Sequence, residues 1–124
     1  MNSNYPKTET NPTTFADFLA LKPNIKENTA EQYRFALTKS YISCGFKDNG
    51  SCDCFADLLW ISKHHVAIYD EFEPRLSLST LRTRTNQYRE ICCQMGYNDA
   101  YAFFSKKTRS AFERLKAVTN EQKR

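Results

Sequence analysis

The chain has 124 residues, with 18 Lys and Arg against 14 Asp and Glu, 40% hydrophobic and 14% aromatic residues, and only 3 Gly and 4 Pro. That length suits one domain around a single core, and seven Tyr, nine Phe and one Trp exclude disordered, collagen-like and low-complexity classes for most of it. No window approaches the roughly 20 apolar residues of a membrane span, and residues 1–6 lack the apolar run of a signal peptide, so the expectation is an intracellular protein, cytoplasmic with the nucleoid or nuclear, and no membrane partner.

Residues 1–12 are rich in Asn, Thr, Pro and Lys without an apolar period and read as a flexible arm; 13–119 read as a single helical domain and 120–124 as a frayed tail. Thr13 or Thr14 caps a short helix over 15–21, closed by Pro23. Asn28-Thr29-Ala30-Glu31 has the form of a capping box and predicts a helix from about 29 to 44, with Tyr33, Leu37, Ser40 and Cys44 on one face. Gly45 ends it before a turn cluster at 47–51. Asp53 is expected to cap a helix over 55–61, and Ser62 one that reaches Phe72 before Pro74 stops it. Ser77 or Ser79 opens the next helix, with Leu81, Thr85, Tyr88, Cys92 and Met95 as its stripe and Gly96 at its end. The last helix opens at Asn98 and presents Phe104, Thr108, Ala111, Leu115 and Val118. No stretch sustains period two, so the fold class is all-α: a compact orthogonal bundle of five to six short helices.

The two longer inner helices share start and stop signals. Thr29 and Thr80 each stand 16 residues before a Gly followed by an aromatic, Gly45-Phe46 and Gly96-Tyr97, which marks a structural pair rather than a sequence repeat. Charge is unevenly spread as well. Residues 1–74 carry 7 Lys and Arg against 10 Asp and Glu, whereas 75–124 carry 11 against 4. An excess of seven positive charges over fifty residues points the second portion toward a polyanion.

The order Asn28-Thr29-Ala30-x-x-Tyr33-Arg34-x-x-Leu37, a helical hairpin around Asp57-Leu58-Leu59 and Val66-Ala67-Ile68-Tyr69, then Leu78-Ser79-Thr80-Leu81-Arg82 ending at Met95-Gly96-Tyr97, resembles the core-binding, SAM-like N-terminal domain of tyrosine recombinases (phage integrases). The likeness spans roughly residues 13–97. It departs at Thr85, where such domains usually carry an aliphatic residue, and in the Cys-rich loop around 47–54. Those recombinases need a larger second domain with an Arg, Lys, His and Tyr catalytic set, for which 124 residues leave no room. The resemblance therefore implies binding of double-stranded DNA by the two Thr-initiated helices, without catalysis, and either self-association or a recombinase-type partner.

On the 79–95 helix, Arg82, Asn86 and Arg89 recur at spacings of four and three, and Arg forks and Asn amides suit phosphates and base edges. Ser79 and Thr80 at its start are candidate phosphate donors. Thr29, Arg34 and Lys39 are the candidates on the 29–44 helix, and Lys106, Lys107 and Arg109 on the last one. The other reading of function is a helical protein-interaction adaptor or self-associating protein. There Phe35 and Ile42, opposite the Tyr33 and Leu37 face, either pack between neighbouring helices or dock a partner, joined by Tyr97, Tyr101, Phe103 and Phe104.

Five Cys without a secretion signal do not make a disulfide framework. Cys44, Cys52, Cys54, His64 and His65 hold enough N and S donors for zinc, yet Cys52-x-Cys54 is tighter than the usual spacer and adjacent histidines diverge on a helix, so buried thiols and surface imidazoles are expected and no metal or cofactor is assigned. With no Gly-rich phosphate loop, nucleophile elbow or metal-spaced carboxylate pair, no enzyme is expected.

Overall fold

A computed structural model of the chain describes residues 13–46 and 54–122, with side chains through Ala117. Among the described residues the elements run α1 (Phe15–Ala20), α2 (Glu27–Ser43), α3 (Leu59–Lys63), α4 (His65–Phe72), a 3₁₀ turn (Glu73–Arg75), α5 (Leu78–Met95) and α6 (Asn98–Gln122), with no strand. The fold is all-α, as the periodicity requires. The expected arm at 1–12, the turn cluster at 47–51, Cys52, Asp53 and residues 123–124 lie outside the described residues.

Helix starts follow local hydrogen bonding, and three differ from expectation, those of α2, α3 and α4. The reciprocal capping box belongs to α1: Thr14 Oγ1 accepts the Asp17 N–H at 3.0 Å, and Asp17 Oδ2 accepts the N–H groups of Thr13 and Thr14 at 3.0 and 3.1 Å. Those backbone donors hold the Asp17 carboxyl below its ordinary range. On α2 the expected box at Asn28 does not form. A turn in which Ile25 N–H donates to the Lys22 carbonyl delivers the chain into helix at Glu27, with Lys26 as an N-cap that offers no side-chain acceptor. Asn28 and Thr29 thus fall inside the first turn, where Glu27 faces the positive end of the helix.

The 55–61 helix is the second correction. Phe15 N–H donates to the Phe55 carbonyl at 2.9 Å and Leu58 N–H to the Thr13 carbonyl at 2.6 Å, so this segment spends its backbone groups on the start of α1. Helix begins only at Leu59, whose N–H is held by Asp57 Oδ1 at 2.9 Å. Ser62 is consequently inside α3 rather than capping α4, which begins at His65. The α5 start resolves to Ser77, whose Oγ accepts the Thr80 N–H at 3.3 Å.

The paired helix ends match. Gly45 and Gly96 have φ of 77° and 79°, and in each case the next amide closes a six-to-one bond: Phe46 N–H to the Tyr41 carbonyl and Tyr97 N–H to the Cys92 carbonyl, both 3.0 Å. A Cβ at Gly96 would touch nothing within 4 Å, so substitution there strains the backbone alone. Gly96→Ala is expected to lower unfolding free energy by about 1–2 kcal/mol with an unchanged m-value, measured by urea titration.

Packing centres on α5 against α6, the most extensive helix pair, with α2 and α4 closing over them. The whole expected α5 stripe is buried. Phe72, Tyr88 and Phe104 stack ring on ring, with centroids 5.9 and 5.3 Å apart, and the Tyr88 hydroxyl donates to the Ala36 carbonyl of α2 at 3.1 Å. Thr85 occupies its buried site by donating to the carbonyls of Leu81 and Arg82 at 2.9 and 3.0 Å, beside Thr108 of α6 at 3.2 Å.

Candidate nucleic-acid interface

The α5/α6 seam places opposite faces of two helices side by side. On α5, Arg82, Asn86 and Arg89 sit at i, i+4 and i+7; on α6, Tyr101, Ser105, Thr108 and Phe112 repeat at the same helical spacing, with Arg109 beside them. Together they line an open groove of about 430 Å³. Its walls hold three guanidinium groups and, among the described residues, no carboxylate. Arg82 lies 4.9 Å over the Phe112 ring and Arg89 5.6 Å over the Tyr101 ring, while Arg89 Nη1 donates to Asn86 Oδ1 at 3.1 Å. That bond turns the Asn86 amide so that its NH₂ group stays available as a donor. Thr29 joins this surface: with Gln32 it lines the adjoining groove that again includes Arg82, Asn86 and Thr108.

Other expected contacts stand apart. Arg34 is committed to Glu31 at 2.7 Å and Glu27 at 3.6 Å and lies over Phe15, so its charge is matched within the chain. Lys107 sits 4.7 Å over Tyr69 and 5.3 Å over Phe103, facing α4 rather than the groove. Lys106 is exposed and lines none of these grooves, and Lys39 lies 5.9 Å over Phe35. Ser79 and Thr80 are exposed at the α5 start, but the Thr80 N–H is taken by Ser77, so that amide is not a free anion donor.

Phe35 and Ile42 are each 58% exposed, which excludes their packing between neighbouring helices. The aromatic run that follows Gly96 mostly turns inward instead: Phe104 is fully buried and Phe103 meets Tyr69 and His65 edge-on at 5.7 and 5.0 Å. Beside Phe35, Arg84 is only 9% exposed, its guanidinium 5.8 Å from the Phe35 ring and 5.7 Å from the Phe72 ring. Burial, with Arg75 adding repulsion, pulls its pKa below the ordinary arginine value against the opposing influence of Tyr88. Its place on the buried side was readable from sequence, since Leu81, Arg84 and Tyr88 fall at i, i+3 and i+7. Phe112 was likewise missed, although it falls on the face shared by Tyr101, Ser105 and Thr108.

The sulfur and imidazole groups have separate surroundings. Cys54 and Cys92 are buried, Cys44 Sγ lies 3.9 Å from the Ala67 carbonyl, and Cys93 is exposed. His64 packs on Phe46 with centroids 4.6 Å apart, and His65 Nδ1 lies 2.9 Å from the Ser62 carbonyl. Among the described residues no three His, Cys, Asp or Glu side chains converge as a metal site would require, and no helix is long and apolar enough to cross a membrane. Compared with protein-family models, curated proteins and solved structures, the chain matches none.

Proposed function

We propose that the chain is a non-catalytic module that holds double-stranded DNA, in a role like that of a recombinase core-binding domain, acting inside the cell alone, as a homo-oligomer or beside a recombinase-type partner that supplies chemistry. The observation that carries this reading is the convergence of Arg82, Arg89, Arg109 and Asn86 on one groove free of carboxylates among the described residues. Three guanidinium groups lining one groove suit phosphate oxygens, and the Asn86 amide suits a base edge. Capture is electrostatic, followed by seating of the strand along α5 and α6.

Fluorescence anisotropy with a labelled random-sequence duplex tests it. Affinity is expected to fall steeply with salt, and Arg82→Ala with Arg89→Ala to weaken binding by about tenfold while reducing the log–log salt slope by about 2. Lys63→Ala, outside the groove, is expected to bind as the parent does. Absence of binding at about 50 mM salt sinks the proposal. The exposure of Phe35 and Ile42 favours a second reading, an adaptor that binds protein through α2. Light scattering of Phe35→Ser and Ile42→Ser variants checks it: an oligomer lost with far-UV circular dichroism retained supports the adaptor, and a parent that is monomeric argues against self-association.

A further inference from the structure

Resting on the DNA reading, we propose that the α5/α6 groove is made for an unpaired stretch of strand, so that the chain prefers DNA in which a single-stranded segment adjoins a duplex over continuous duplex. The groove is not a purely cationic track. Phe112 is 42% exposed on α6, and the guanidinium carbon of Arg82 lies over its ring, 4.9 Å from the centre, while Arg89 stands over Tyr101 at 5.6 Å. A single exposed Phe needs no explanation, but two aromatic rings each paired with an arginine in one groove is a different matter.

Phosphates of a continuous duplex gain nothing from an aromatic ring, because the faces of its bases are hidden in the stack. An unpaired base presents a free π-face, which stacks on an aromatic ring or on a guanidinium plane whichever base it is. Here the guanidinium groups of Arg82 and Arg89, each backed by an aromatic ring, supply that platform. A polar group in the wall completes it: the Asn86 amide, whose Oδ1 accepts from Arg89, keeps its NH₂ group for a base edge. The three arginines then follow the backbone between stacked bases, the combination by which single strands are held without strict sequence readout.

The test compares three labelled probes by anisotropy at fixed salt: a blunt duplex, the same duplex with an oligo(dT) tail, and oligo(dT) alone. The tailed duplex is expected to bind about tenfold more tightly than the blunt one. Phe112→Ala should remove most of that advantage, lowering tailed-duplex affinity several-fold more than blunt-duplex affinity, with the salt slope unchanged because no charge is lost. Phe112→Trp should retain it, which separates stacking from a merely structural role. Equal affinity for tailed and blunt duplex, or a Phe112→Ala loss shared equally by both, overturns the inference while the duplex-binding function stands. If the tailed and blunt probes both fail to bind, the function and the inference fall together.

Discussion

Tyr88→Ala is expected to cost about 3–5 kcal/mol, a large share of the roughly 5–15 kcal/mol that holds a domain of this kind folded. The ring has no exposed surface and is stacked on both faces, by Phe72 of α4 and Phe104 of α6, while its hydroxyl reaches the Ala36 carbonyl of α2. One side chain therefore ties three helices to α5, and truncation leaves a cavity that stiff aromatic neighbours cannot fill. Midpoint temperature by circular dichroism should fall by roughly 10–20 °C. Tyr88→Phe keeps both stacks and loses only the hydroxyl, so its cost is expected near 1 kcal/mol. If the two variants are equally destabilised, the ring stack is not what organises the core and the hydrogen bond to α2 carries the effect.

Helical stripes were readable because a buried face repeats at 3.6 residues whatever the neighbouring helices do. All five residues assigned to the α5 stripe are buried, and Tyr33, Leu37 and Ser40 are buried on α2. The ends of those helices were readable at Gly45 and Gly96 because a left-handed residue is a local demand. Starts were harder. The α1 cap is made of residues three apart and could be read, whereas the late start of α3 depends on two backbone bonds between segments about forty residues apart, Phe15 to Phe55 and Leu58 to Thr13. Composition carries no trace of such pairing.

The groove was readable only by halves. Arg82, Asn86 and Arg89 share a face by arithmetic, but Arg109 reaches them through the packing of α6 on α5, which no spacing within one helix specifies. Charge counting also treats every cation alike, and the fold does not. Arg34 is matched by Glu27 and Glu31, Lys107 covers aromatic rings of another face, and Arg84 is buried between Phe35 and Phe72. A long aliphatic stem lets a cation travel toward whatever ring or carboxylate folding brings near. The excess of positive charge in the second portion of the chain is therefore shared among several surfaces, of which the α5/α6 groove is one.

Stability is expected to drop in alkaline solution from about pH 9 upward. Burial, with Cys93 adding to it, pushes the Cys92 thiol up from about 9 to about 12; burial first, then Asp57 and Cys92, push the Tyr97 phenol from about 10 to about 12; and the enclosed Tyr88 phenol is raised further still. In each case the native state keeps a proton that the unfolded chain releases at its ordinary value. The stabilisation is thus complete below about pH 9 and is withdrawn as pH climbs from about 9 toward 12, by up to ~1.4 kcal/mol per pH unit for the buried Cys92 and by less for Tyr97, whose ring is partly exposed and screened by solvent. Urea midpoints followed by circular dichroism at pH 7, 9, 10 and 11 measure the decline. Tyr97→Phe separates the contributions. The Tyr97 hydroxyl is buried and makes no hydrogen bond within the described chain, so its removal should cost little at pH 7 and leave the variant more stable than the parent at pH 11. Parallel curves for the two proteins would mean that water reaches the phenolate in the folded state and that burial at the α5/α6 corner is looser than its packing implies.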